Sequence, residues 1–166
     1  MGWTAASVTK LAPRRAVLVA GAAAVAVTDL LVKAWAESAL EAGLALGPVD
    51  LVLSHNPGVA FSLGADAPAA LVVALTGLVI VAIAVVAWRA APTWDCWRLA
   101  AVTAILGGGC GNWIDRSLDG VVTDYLHSGW WPTFNLADTA IVTGVVLLAL
   151  LELRSPRQPA GTDTSG

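Results

Sequence analysis

Four apolar stretches, each close to the length of a membrane-crossing helix, constrain this chain more than any other feature. They occupy residues 16–35, 69–88, 99–114 and 136–153, and the third is the shortest. About 20 apolar residues in a helix cross the roughly 30 Å hydrocarbon core of a bilayer. Hydrophobic residues make up 57% of the chain and charged residues 13%, a balance that excludes an ordinary soluble domain. The sequence therefore predicts an all-α membrane protein with four transmembrane helices.

The basic residues predict the orientation of these helices. Most lie in the two tails or between the second and third apolar stretches: Lys10, Arg14, Arg15, Arg89, Arg98, Arg154 and Arg157. Cytoplasmic segments of membrane proteins carry an excess of Lys and Arg, so both termini are expected in the cytoplasm. The segment between the first and second stretches has no basic residue and carries acidic ones: Glu37, Glu41, Asp50 and Asp66. It is expected on the outer side.

The chain is predicted to form one domain over residues 1–155. Residues 156–166 are rich in Pro, Gly, Ser and Thr and are expected to be a disordered tail. The basic residues near the start and the run Ala22-Ala23-Ala24 also resemble a cleavable signal peptide. Because the apolar run continues to Trp35, a retained membrane anchor is the favoured interpretation.

The cysteine and histidine residues do not form the pattern of a metal site. Cys96 and Cys110 would lie about 21 Å apart on one helix, too far for a disulfide, and small apolar filler is their favoured role. His55 and His127 lack a set of ligand partners in the sequence. We expect no metal and no other cofactor.

Polar residues within the apolar stretches are predicted to gather at one depth. We measure depth as the rise along each helix from the basic residue at its inner end. Six polar residues then lie at depths of about 21 to 27 Å: Asp29, Lys33, Asn112, Asp115, Arg116 and Asp138. A charged side chain near the bilayer centre costs about 2.5–3.5 kcal/mol, so such residues face the bundle interior and mark function. The sequence therefore predicts a polar site in the outer third of the membrane.

Local spacings predict how some of these residues are held. Asp29 and Lys33 are one helical turn apart and can form an ion pair, which could also serve only to position the first helix. The guanidinium group of Arg116 can donate two parallel hydrogen bonds to a carboxylate. Gly107 and Gly111 have the spacing that lets a neighbouring helix approach closely.

Two non-helical segments are predicted to form a small sheet at the outer membrane surface. Alternation over residues 121–124 favours a short strand, and residues 51–64 resemble two extended segments joined by a turn at Asn56-Pro57-Gly58. Trp130 and Trp131 suit the outer membrane interface. Asn135 followed three residues later by Asp138 matches a helix N-cap, and capping alone would explain both residues.

Five sequence blocks, in order, resemble the motifs of the bacterial lipoprotein signal peptidase (signal peptidase II) family. They cover about residues 11–154 and together are highly specific. The blocks are Asp29 with Lys33, Asn56-Pro57-Gly58-Val59-Ala60-Phe61, Gly111-Asn112-Trp113-Ile114-Asp115-Arg116, Val122-Thr123-Asp124-Tyr125 and Phe134-Asn135-Leu136-Ala137-Asp138.

The resemblance implies a membrane-embedded aspartic endopeptidase of the bacterial cytoplasmic (inner) membrane, with its active site near the outer leaflet. It implies cleavage of diacylglyceryl-modified prolipoproteins just before the lipidated cysteine. The catalytic pair would be Asp124 and Asp138. The expected partners are lipid-modified prolipoprotein substrates and membrane lipids, with no nucleic acid, and the protein is expected to be a monomer. The implied supporting or substrate-binding residues are Asn56, Gly58, Phe61, Asn112, Asp115, Arg116, Asn135, Asp29 and Lys33.

The chemistry of two carboxyl groups agrees with this expectation. Peptide hydrolysis by such a pair needs one ionised group, which takes a proton from water, and one protonated group, which donates to the scissile carbonyl. Two carboxylates placed close together raise one pKa and so favour that split. Two alternatives stay open on the sequence alone: a proton- or cation-coupled transporter and a non-catalytic lipid- or helix-binding protein.

Overall fold

The fold is a bundle of four helices with a two-stranded sheet, taken from a computed structural model that describes residues 5–58 and 68–154, with side chains from residue 13 onward. The elements follow the chain as α1 (Ala5–Ala39), β1 (Asp50–Asn56), α2 (Ala69–Ala90), α3 (Cys96–Asp119), β2 (Val122–His127) and α4 (Leu136–Arg154), with a short 3-10 turn at Ala91–Thr93 after α2. The predicted disordered tail and the second extended segment after Gly58 lie outside the described residues.

Three described helices are long and apolar enough to cross a membrane: Pro13–Ala39, Ala69–Thr93 and Leu136–Arg154. Their outward surfaces carry large apolar side chains such as Leu78, Val86 and Val142, each more than half exposed. A soluble protein rarely leaves such continuous apolar surface open to water. This surface agrees with the sequence prediction of helices that face lipid.

Helix α3 is more polar than the other three and lies among them, packed against α1, α2 and α4. It is longer than the predicted stretch 99–114 because local capping fixes both of its ends. Asp95 accepts hydrogen bonds from the main-chain N–H groups of Trp97 and Arg98, at 2.8 and 2.9 Å. At the other end Gly120 adopts φ 93°, a left-handed conformation that glycine tolerates best.

Small residues let α3 approach its neighbours closely, as the spacing of Gly107 and Gly111 predicts. A methyl group at Gly107 would lie 2.8 Å from the carbonyl oxygen of Ala22 on α1. A methyl group at Gly111 would lie 2.8 Å from Asp29 Oδ2, also on α1. Both distances are too short for a carbon atom, so the α1–α3 interface depends on glycine at these two positions.

The predicted small sheet forms between β1 and β2, which pair antiparallel. The register is irregular between Leu51 and Ser54 and then regular, with Ser54 opposite Asp124. After β2 the chain returns, and Phe134 makes main-chain hydrogen bonds to Leu126. This return places the start of α4 directly beside β2.

Many of the buried apolar residues form two clusters at opposite ends of the bundle. One joins α1, α2 and α3 through residues that include Leu18, Ala87 and Leu99. The other lies beneath the sheet and contains Ala36, Leu40 and Tyr125. The polar site described below lies beside this second cluster, where Tyr125 contributes to both.

Candidate active site

Asp124 lies in the middle of β2, and its side chain is 3% exposed. Its Oδ1 accepts a hydrogen bond from Asn135 Nδ2 at 2.7 Å. Its Oδ2 accepts from Asn56 Nδ2 at 3.3 Å, across the sheet. Asn56 lies diagonally opposite Asp124 on the paired strand, a distance that a side-chain amide can span. The sheet register therefore brings this carboxyl group together with the first of the predicted supporting residues.

Asp138 lies in the first turn of α4, where it forms a reciprocal cap with Asn135. The main-chain N–H of Asp138 donates to Asn135 Oδ1 at 2.9 Å, and the main-chain N–H of Asn135 donates to Asp138 Oδ2 at 3.3 Å. This is the geometry of a capping box, with Asp in place of the usual Glu. The predicted capping role is confirmed, and it fixes the carboxylate of Asp138 at the positive end of the helix.

Asn135 connects the two carboxyl groups, since it is bonded to both of them. Its side chain is fully buried and the same amide that caps α4 donates to Asp124. Asn112 on α3 completes the connection, because its Nδ2 donates to Asp138 Oδ1 at 2.8 Å and its Oδ1 accepts from Asn135 Nδ2 at 3.0 Å. The structure thus brings Asp124 and Asp138 into one hydrogen-bonded unit.

Lys33 lies at the centre of the charged part of the site. Its ammonium group is 2.9 Å from Asp29 Oδ2 and 3.1 Å from Asp115 Oδ2. It also donates to Asn112 Oδ1 at 2.7 Å. The predicted ion pair of Asp29 and Lys33 is confirmed, and it is part of a larger group: Asp29 Oδ1 also accepts from the main-chain N–H of Ala137 at 2.9 Å. Through these contacts α1 is joined to α3 and to the start of α4.

Arg116 differs from its predicted role. Within the described chain its guanidinium group donates to the main-chain carbonyl oxygens of Asn56 and Gly58 instead of making two hydrogen bonds to a carboxylate. Gly58 is itself held by a turn in which its N–H donates to Asn56 Oδ1 at 2.9 Å. The carbonyl groups of this turn therefore lie within hydrogen-bonding reach of α3. Arg116 therefore fixes the turn after β1, and Phe61, predicted to belong to the same region, lies outside the described residues.

Burial and a neighbouring charge raise the pKa of Asp124 to about 6. Burial is the larger cause, and the charge of Asp138 adds to it. Hydrogen bonds from Asn135 and Asn56 and the charge of Lys33 act in the opposite direction. A carboxyl group that titrates near neutrality beside a second carboxyl group can supply one protonated and one ionised oxygen, which is the requirement for acid–base chemistry on a peptide bond.

Three residues to which the sequence analysis gave no role in the site support it. Thr123 donates its main-chain N–H to Asp115 Oδ2 at 2.8 Å, and Tyr125 accepts from the N–H of Leu136 at 3.1 Å. Glu37, near the end of α1, accepts from Thr123 Oγ1 at 3.1 Å. Each contact joins two different elements of the fold, so no pattern within one helix or strand indicates it. Among the side chains that the structure describes, no three His, Cys, Asp or Glu residues gather as metal ligands.

Comparisons with known proteins identify the family. A family model described as Signal peptidase (SPase) II matches residues 21–154. The chain is 36% identical to the lipoprotein signal peptidase of Rhodococcus jostii (strain RHA1) over 159 residues, which cover 90% of this chain and 78% of that protein. It is 35% identical to the lipoprotein signal peptidase of Mycobacterium leprae (strain Br4923) over 154 residues, which cover 86% of this chain and 75% of that protein.

A solved structure shares the fold. A bacterial membrane enzyme determined by the in meso method at 2.3 Å resolution superposes with a TM-score of 0.73 at 22% sequence identity, covering 88% of this chain and 94% of that one. The apolar helices and these relatives together indicate a multi-pass membrane protein. The chain belongs to the signal peptidase II family, the lipoprotein signal peptidases.

Proposed function

We propose that this protein is an aspartic endopeptidase that removes signal peptides from diacylglyceryl-modified prolipoproteins, cutting just before the lipidated cysteine. Family membership implies peptidase activity, and the names of the relatives supply the class of substrate. The observation that carries the aspartic mechanism is the bridge formed by Asn135, whose side-chain amide donates to Asp124 Oδ1 and whose main-chain N–H donates to Asp138 Oδ2. It holds two carboxyl groups together beside the end of a helical bundle.

The two carboxyl groups take different roles in this proposal. Asp124, whose raised pKa of about 6 favours the protonated form more than in an ordinary carboxyl group, takes the role of the acid that donates a hydrogen bond to the scissile carbonyl. Asp138, which lies at the N-terminus of α4 and accepts from Asn112 Nδ2, takes the role of the base. It takes the proton from the attacking water. After water has attacked the carbonyl carbon, the peptide C–N bond breaks as Asp138 passes the proton taken from water to the leaving nitrogen.

The proposed topology has four transmembrane helices in one domain over residues 1–155, with α3 as the spanning helix that the other three surround. Both termini lie in the cytoplasm of a bacterium, the protein is a monomer of the inner membrane, and the site lies near the outer leaflet. The exposed Trp130 and Trp131 on the β2–α4 loop support this placement, since Trp is enriched at membrane interfaces. In that position the apolar signal helix of the substrate stays in lipid while water reaches the bond.

The test of this function is cleavage of a lipidated prolipoprotein by the purified protein in detergent, without an ion gradient. Retained cleavage removes the transporter alternative, which requires a polar path through the bundle. Asp124→Asn and Asp138→Asn should each lower the rate by about 100-fold or more, because each removes a proton-transferring group. Asp119→Asn, at the exposed end of α3, is the matched control and should cleave normally. A wild-type rate in either Asp124→Asn or Asp138→Asn would refute the assignment of these two residues as the catalytic pair, here called the dyad.

A further inference from the structure

Glu37 makes a contact that joins three elements at one oxygen atom, outside the polar unit already described. It lies in the last turn of α1, and its Oε1 accepts from Thr123 Oγ1 on β2 at 3.1 Å. The same oxygen is 2.8 Å from His55 Nε2 on β1. The end of α1 is thereby joined to both strands of the sheet.

Thr123 is the residue through which this contact can act on the dyad. It immediately precedes Asp124 and is 4% exposed. Its N–H donates to Asp115 Oδ2 at 2.8 Å, and its carbonyl oxygen accepts from Asn135 Nδ2 at 3.4 Å. With Glu37 on its hydroxyl group, every polar atom of Thr123 has a partner.

The direction of the Thr123 side chain determines what the Glu37 contact does. Consecutive side chains of a strand point to opposite faces, so Thr123 points away from the face that carries Asp124. Glu37 therefore contacts β2 on the face opposite the one that carries the carboxyl group of Asp124. Among the described residues the sheet has two strands, and an isolated pair of strands is marginally stable in water, so contacts from the helices help to fix the position of Asp124.

We propose that Glu37 is a positioning residue for catalysis, which acts through Thr123 to hold Asp124 against Asp138. The inference rests on the proposed function. The side chains of Glu37 and His55 are 44% and 47% exposed, and exposed ion pairs contribute little to stability. Loss of the Glu37 contact should therefore affect turnover more than melting temperature, since a displacement of about 1 Å at a reacting group can cost about 100-fold in rate.

Four variants test the hydrogen bond itself. Glu37→Ala removes the acceptor and Thr123→Val removes the donor while keeping the shape of the side chain. Each should lower kcat about tenfold with KM unchanged, within the range that a misplaced group allows. Glu37→Gln and Thr123→Ser keep an acceptor and a donor, and each should retain kcat near the wild-type value. Because Glu37→Ala already removes the hydrogen bond that Thr123→Val removes, the double variant Glu37→Ala/Thr123→Val should be no slower than Glu37→Ala alone.

A measurement without catalysis separates this inference from the proposed function. Hydrogen–deuterium exchange of the peptide that contains residues 122–125 should be faster in Glu37→Ala than in the wild type and unchanged in Glu37→Gln. Glu41→Ala, an exposed carboxylate just after α1, is the matched control for both assays. Absence of cleavage by the unaltered protein would contradict the proposed function alone. Unchanged exchange in Glu37→Ala, or a wild-type kcat in that variant, would overturn the role of Glu37.

Discussion

The ammonium group of Lys33 lies 2.7 Å from Asn112 Oδ1, and this contact determines which end of the Asn112 amide meets Asp138. An ammonium group can only donate, so the carbonyl end of the amide must face it. The amide nitrogen is then directed to Asp138 Oδ1, at 2.8 Å. A buried cation on α1 thus orients a hydrogen-bond donor toward a carboxylate on α4.

Replacing Lys33 with Met should destabilise the protein strongly. Asp29 is fully buried, and both it and Asp115 would lose their cation. Breaking a buried pair by removing one partner costs about 3–5 kcal/mol. The free energy of unfolding in detergent measures this loss. Arg89→Met, at the exposed end of α2, is the control and should stay within about 0.5 kcal/mol of the wild type. Equal stability of the Lys33 and Arg89 variants would contradict the prediction.

Two glycines on α3 should respond in opposite directions to alanine. In a helix interior, Gly→Ala stabilises by about 1 kcal/mol when nothing obstructs the new methyl group. At Gly109 the methyl group would lie 3.4 Å from Ile80 Cγ1, an acceptable contact, so Gly109→Ala should raise the melting temperature. At Gly111 it would lie 2.8 Å from Asp29 Oδ2, and overpacking costs about 1–3 kcal/mol. Thermal unfolding that ranks Gly111→Ala above Gly109→Ala would disprove the close α1–α3 contact.

Asn135→Ser should separate the capping role of Asn135 from its bridging role. A serine hydroxyl can accept from the N–H of Asp138, so α4 keeps its cap. The donor to Asp124 is lost, and leaving a buried polar group without its hydrogen-bond partner costs about 1–3 kcal/mol. We expect cleavage to slow by about 10- to 100-fold while helix content by circular dichroism stays constant. Asn135→Ala loses the cap as well and should unfold at a lower temperature. A serine variant with full activity would show that the bridge is dispensable.

Asp124 should make stability depend on pH. Its folded-state pKa of about 6 lies above the ordinary value of 3.8, so the folded protein binds this proton more tightly than the unfolded chain. The resulting stabilisation is complete below pH 3.8 and is lost as pH rises to about 6, a change of up to about 3 kcal/mol. The test compares the free energy of unfolding of the wild type with that of Asp124→Asn between about pH 4 and pH 7.

The wild type should lose stability relative to Asp124→Asn as pH rises through that window. Asp138→Asn provides a second comparison, because removing the neighbouring charge should lower the pKa of Asp124 and move the window to lower pH. Parallel stability curves for the wild type and Asp124→Asn would show that the folded and unfolded chains bind this proton equally.

The sequence predicts the helices of this fold because their main determinant is local. An apolar run of span length needs no knowledge of distant residues, and the i,i+4 spacing of Asp29 and Lys33 encodes their contact directly. The same holds for the cap formed by Asn135 and Asp138. These contacts join residues at most four positions apart.

Contacts between distant segments could not be predicted in this way. Arg116 contacts main-chain carbonyl groups 58 and 60 residues earlier in the chain. Every residue has such a group, so the amino-acid sequence does not indicate which ones are contacted. Glu37 appears in the sequence as one acidic residue of an outer segment, although α1 continues through it to Ala39 and directs it at β2. The proximity of Asp124 and Asp138 depends on the return of the chain at Phe134, which no periodicity indicates.

The two-stranded sheet has a consequence for how the enzyme matures. β1 and β2 cannot persist as a separate ribbon, and they are held through Asp115, Glu37 and Asn135, which come from the helices and from the residue just before α4. In the proposed mechanism the two acids act only together, so a chain in which α4 has not yet packed beside β2 is expected to lack hydrolytic competence. A half-built molecule should then have no means of cutting its neighbours.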